Sequence, residues 1–156
     1  MSGRRALPHE PPRWVDPSRE IWFLTLNTQP RGLAQLTVPR VSGFIRDAIT
    51  FRYERSQWYP WLFLLMPDHA HALISFPPDQ PWVKTIRDFK KWIASQCQVR
   101  WQTDFFDHRL RADESFIDKA NYILANPVRA SLTKDWQTWP HVWFPPEGLP
   151  FTGLHR

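Results

Sequence analysis

WYPWLFLLMPDHAHALISF, residues 58–76, reads as two strands joined by a turn. Residues 58–66 are almost all apolar, which is expected of a strand covered on both faces. Met66-Pro67-Asp68-His69 suits a tight turn with proline at its second position. From 69 to 76 the chain then alternates. Ala70, Ala72, Ile74 and Phe76 fall on one face, and His69 and His71 share the other with Leu73 and Ser75.

The flanking segments alternate strand and helix. Residues 21–27 (IWFLTLN) are a β-branched and aromatic run, followed by a turn around Gln29-Pro30-Arg31-Gly32. Val41, Phe44, Ile45, Ala48, Ile49 and Arg52 recur at helical spacing over 41–56. Downstream, Trp82, Ile86, Phe89, Ile93 and Cys97 form one stripe of a helix over 82–101, with Lys84, Arg87 and Lys91 on another. Residues 104–111 (DFFDHRLR) read as a short strand. A last helix is expected from an N-cap at Asp113 to Ala125 or Asn126, with Pro127 as its stop. This order predicts an α+β fold: a ferredoxin-like antiparallel sheet with helices packed on one face.

Composition narrows the function classes. The 156 residues carry 20 Lys+Arg against 15 Asp+Glu, a net charge of +5, and the pI is about 9.8. Arginine outnumbers lysine fifteen to five, and its planar fork suits phosphate oxygens and base faces. The window Lys84–Arg111 holds +4 of the net charge, so a nucleic acid is the first partner to test. A solvated helix face is the alternative for that stretch. The single Cys97 excludes an intrachain disulfide and a CxxC zinc site. No apolar run approaches the ~18 residues of a membrane span, and no signal-peptide stretch opens the chain. A cytoplasmic protein without a membrane partner is the expectation. Eight of the sixteen prolines lie before residue 20 or after residue 139. That suggests an extended N-terminal arm (1–20), a core domain (21–130) and a Pro/Trp-rich C-terminal tail docked on it (131–156).

The chemistry lies in the histidines and one tyrosine. Residues i and i+2 of a strand sit about 6.6–6.8 Å apart on one face, close enough for His69 and His71 to converge on a metal ion. Read alone, such a pair is more often structural than a ligand set. In the last helix the apolar stripe is Phe116, Ile117, Ala120, Ile123 and Leu124, and Tyr122 lies roughly 150° away from its centre. Tyr122 is either a rim tyrosine or a functional one. Asn126, at i+4, neighbours it. Tyr53 and Tyr59 have apolar neighbours and read as packing groups.

MPDHAHALISFPP (66–78), DFFDHRLRADES (104–115) and YILANPVRASL (122–132) resemble the single-tyrosine HUH (IS200-like) transposases. The likeness is to the branch associated with repeated extragenic palindromes, and it extends over roughly residues 5–143. It implies His69, His71 and Asn126 as ligands of Mg²⁺ or Mn²⁺, and Tyr122 as the nucleophile. Family members usually continue NPVRAGL, where this chain has Ser131. The implied activity is cleavage and transfer of single-stranded DNA near hairpins through a 5′-phosphotyrosine. The alternative is a domesticated protein that binds hairpins without cutting. Lys84, Arg87, Lys91, Arg109 and Arg111 are the expected phosphate contacts, with Arg4 and Arg5 of the arm as groove readers. His108 is either a phosphate contact or a structural histidine, and Lys119 either steadies the phenolate or is solvated. His9, His141 and His155 read as surface residues. Single-stranded or hairpin DNA is the expected partner, bound by a monomer or homodimer.

Overall fold

The computed structural model describes residues 20–78, 80–111 and 115–148. Its chain order is β1 (Trp22–Asn27), α1 (Pro39–Glu54), β2 (Tyr59–Leu65), β3 (His69–Ser75), α2 (Trp82–Cys97), β4 (Phe106–Arg109), α3 (Phe116–Leu124), α4 (Asn126–Arg129) and β5 (Val142–Trp143). The strands form one antiparallel sheet in the order β4-β1-β3-β2-β5. Both β1 and β2 pair antiparallel to β3 and so run parallel to each other, which requires α1 as a crossover. The same logic makes α2 the crossover from β3 to β4. These two interlocked units are the ferredoxin-like arrangement, and β5 extends it beyond β2.

The fold class is the one expected from sequence, but the helices cover both faces. Leu24, Leu26, Phe63, Leu65, Ala70, Ala72 and Ile74 pack under α1 and α2. Phe23, Trp61, Leu62, Leu64 and Leu73 pack with Phe116, Ala120, Ile123 and Leu124 of α3. The reason lies in β2, whose seven residues are all buried. A strand apolar on both sides needs cover on both, and the stripe of α3 supplies the second layer. A register shift between Pro60 and Leu62 turns both Trp61 and Leu62 toward α3. Pro60 has no N–H to give to the ladder, so a bulge there is tolerated.

The helix ends depart from the sequence reading. Asp113 lies outside the described residues; Ser115 is the N-cap of α3, and its hydroxyl accepts from the Asp118 N–H at 3.2 Å. Pro127 does not end the helical path but sits in the first turn of α4, where a missing N–H removes no helical bond. α4 is followed by Ser131 at φ 60°, the left-handed conformation that glycine adopts most easily. After it, the Trp139 indole donates to the Leu65 carbonyl and the Trp143 indole to the Thr50 hydroxyl, both at 3.0 Å. The phenols of Tyr53 and Tyr59 both donate to the Glu147 carboxylate. Among the described residues no helix is long and apolar enough to cross a membrane.

Candidate active site

His69 and His71 project from β3 toward the α3 face, and their ring centroids lie 4.8 Å apart. Each is held through Nδ1. The Asp68 carboxylate oxygen lies 2.8 Å from Nδ1 of His69, and the Thr25 hydroxyl lies 3.0 Å from Nδ1 of His71. Thr25 is the cross-strand partner of His71 in β1, so sheet register places that hydroxyl. Anchoring through Nδ1 leaves Nε2 of both rings to face a ligand. His71 is buried, and desolvation pushes its pKa down to about 3, helped by its electrostatic interaction with the neighbouring His69, Arg129 and Arg31. It is therefore neutral at pH 7, the form that binds a metal.

Asp68 is ringed by donors. Burial works to raise its pKa, but hydrogen bonds from His69 and the Gly32 N–H, with the nearby Arg31 charge, outweigh that and hold the carboxyl below its ordinary value. Arg31 Nε lies 3.2 Å from the same carboxylate, and its guanidinium also donates to Asn27.

Tyr122 stands on the outward side of α3, 53% exposed. Its ring centroid is 6.3 Å from that of Phe23, which in turn lies 5.6 Å from the His71 ring. Phe23 thus bridges the tyrosine and the buried histidine. The Arg129 guanidinium sits 4.7 Å over the Tyr122 ring and donates to the Tyr122 carbonyl at 3.3 Å. Lys119 places its ammonium 5.7 Å from the Phe23 centroid. The Asn126 amide nitrogen donates to the carbonyls of Ile123 at 3.0 Å and Tyr122 at 3.3 Å. That use of the nitrogen leaves Oδ1 as the side-chain atom for a cation. Two Nε2 atoms and one amide oxygen are a neutral donor set that suits a cation whose coordination is completed by phosphate oxygens and water. Among the described residues no group of three or more His, Cys, Asp or Glu could hold a metal ion, so the donors do not resemble a closed structural zinc site.

No family model matches the chain. A curated protein of Haemophilus influenzae, named as a REP-associated tyrosine transposase, is 23% identical over 146 residues, covering 80% of this chain and 79% of that one. The solved structure of a REP-associated tyrosine transposase bound to a REP hairpin matches with a TM-score of 0.69 at 26% identity, over 78% of this chain and 74% of that chain. In both sequence and fold the chain is similar to REP-associated tyrosine transposases. A transposase structure from Deinococcus radiodurans, at TM-score 0.50 and 15% identity over 78% and 96% of the two chains, shares the fold alone.

The expected site residues divide between the two faces of the sheet. His69, His71, Tyr122 and Lys119 lie on or beside the α3 face, linked through Phe23, and Asn126 stands one turn beyond Tyr122 at the start of α4. His108 joins them, because it is the register partner of Phe23. The basic stripe of α2 does not. Lys84, Arg87 and Lys91 ride on a helix whose stripe packs on the opposite face, so the charged window is not beside the histidines. Lys84 pairs with Asp88 at 2.7 Å. Arg109 is the register partner of Trp22, faces the α2 side, and pairs with Glu20 at 3.0 Å. Arg111 is exposed just beyond β4; Arg4 and Arg5 lie outside the described residues. The sequence reading missed Thr25, Asp68, Phe23, Arg31 and Arg129. Arg129 lay within the quoted YILANPVRASL motif, and its position seven residues after Tyr122 was the available signal. The others needed strand register.

Proposed function

We propose that this chain is a metal-dependent single-strand DNA endonuclease and strand-transferase acting at hairpins, with Tyr122 as nucleophile. The observation that carries it is the Phe23 bridge, which puts an exposed tyrosine on the same face as two histidines anchored to point their Nε2 atoms outward. Both REP-associated tyrosine transposase matches support it, one of them a structure with a REP hairpin bound.

His69, His71 and Asn126 would hold Mg²⁺ or Mn²⁺. When bound, such an ion polarises a phosphate oxygen and offsets charge developing on the scissile group. Tyr122 attacks phosphorus with its phenol oxygen, its proton passing to the solvent that reaches this half-exposed side chain. An O–P bond to tyrosine forms as the bond to the 3′ oxygen breaks, and that oxygen leaves as a 3′-hydroxyl. The 5′-phosphotyrosine keeps the ester energy for rejoining. Arg129 and Arg31 set fixed positive charge around the anion that the neutral ligands do not supply. The packing of α3 on its own chain's sheet supports a nucleophile acting within one chain.

The test is a labelled hairpin DNA with a single-stranded flank, incubated with Mn²⁺ or Mg²⁺ and resolved on a denaturing gel. A covalent adduct that disappears in Tyr122→Phe is the expected result. Tight hairpin binding with no adduct under either metal would instead identify a non-cutting hairpin-binding protein.

A further inference from the structure

We propose that Phe106 is a stacking platform for an unpaired nucleobase next to the scissile phosphate. This inference rests on the nuclease reading above and adds a substrate-positioning residue to it.

Phe106 belongs to β4, an edge strand, and is 60% exposed. Its neighbour Phe105 is tucked inward, with its ring 6.0 Å from that of Trp82 and packed against the core beneath α2. The contrast matters. A large apolar ring left mostly in water forgoes the gain of burial, and its place in the sheet is not incidental. Register pairs Phe106 with Thr25, and Thr25 with His71. The three side chains form one row across one face, and at about 4.8 Å per strand the Phe106 backbone stands roughly 10 Å from that of His71. The next row carries His108 beside Phe23. The α3 helix covers the β3 and β2 part of this face and leaves the β4 part open.

The occupant follows from what surrounds the ring. Arg31 and Arg129 act electrostatically on His71, and the Lys119 ammonium lies over Phe23. An aromatic face two strands from His71, with these cations beside the histidines, matches a strand whose phosphate sits at the histidines and whose adjoining base lies flat on the ring. Base–aromatic stacking tolerates any base, because every base has a π-face. Phe106 therefore holds the single-stranded flank in place without reading its sequence.

The experiment uses full-length Tyr122→Phe protein, which binds without forming an adduct. Affinity is measured for one hairpin with an unpaired flank and for the same hairpin without it. Phe106→Ala should weaken binding of the flanked hairpin about 5- to 150-fold and leave the flankless hairpin unchanged. Phe106→Trp should retain the preference. A 2-aminopurine in the flank should be quenched by the parent and released in Phe106→Ala. Equal affinity of parent and Phe106→Ala for the flanked hairpin overturns the inference while the nuclease reading stands. Equal losses on both DNAs overturn it too, since they mean a damaged fold. If the parent binds neither hairpin, the functional reading fails and this inference fails with it.

Discussion

The two faces of strand β3 begin from the same seven residues and end in different states. On one, Ala70, Ala72 and Ile74 disappear under α1 and α2, with Phe89 and Ile93 seated against them. On the other, α3 covers Leu73 and its neighbours but stops short of the edge, so His71, Phe23 and Tyr122 form a slope from buried to half-exposed. The difference teaches that this sheet separates rigidity from access. Two long crossover helices close the first face. One nine-residue helix leaves the β4 end of the second exposed.

The strongest way to break that contrast is to remove the proposed nucleophile. Tyr122→Phe should lower covalent adduct formation by about 10³-fold or more, while hairpin affinity, read by titration, stays within about twofold. Loss of affinity instead would mean that the phenol serves binding. Next comes the closed face. Phe89→Ala should cost about 3–5 kcal/mol in chemical denaturation, because a fully buried ring leaves a cavity between the helix and the sheet. If destabilisation is small, the face is less rigid than its packing indicates. Third, Asp68→Ala unpins His69 and should raise the Mn²⁺ concentration for half-maximal adduct by about 10- to 100-fold, with the thermal midpoint little changed. An unmoved metal titration would show that Asp68 only shapes the turn.

The fourth test addresses the seam between the faces. Burial first, and then the Glu147 carboxylate, raises the Tyr53 and Tyr59 pKa values above that of an unfolded tyrosine, about 10. Groups shifted this way contribute their full stability below pH 10 and lose it as pH rises beyond. Denaturation midpoints should fall above pH 10, and less steeply in Glu147→Gln, where the charge contribution is gone. The smallest effect belongs to Ser131, at φ 60°. Ser131→Gly should stabilise the chain by about 0.5–1 kcal/mol.

Much of this was readable from residues alone. The alternation of 69–76 placed the histidines opposite the alanines, and the wheel position of Tyr122 placed it off the core stripe. Both depend on local period, which needs no knowledge of the rest of the chain. What failed needed topology. The basic window 84–91 follows the histidines closely in sequence, yet a crossover helix carries it to the other face. Thr25 and Phe106 join His71 through register alone, and register depends on which strands become neighbours. Pro127 misled for a simpler reason, since the rule that ends one helix also permits the start of another.

One contact from the far end of the chain has a chemical consequence. Glu147 engages both other phenols at once, so each tyrosine except Tyr122 is committed as a donor and kept protonated. On the proposed reading, the nucleophile is selected as much by silencing its rivals as by activating it. Any DNA left on this protein should therefore be recovered on a single tryptic peptide, Ala120 to Arg129, and on no other.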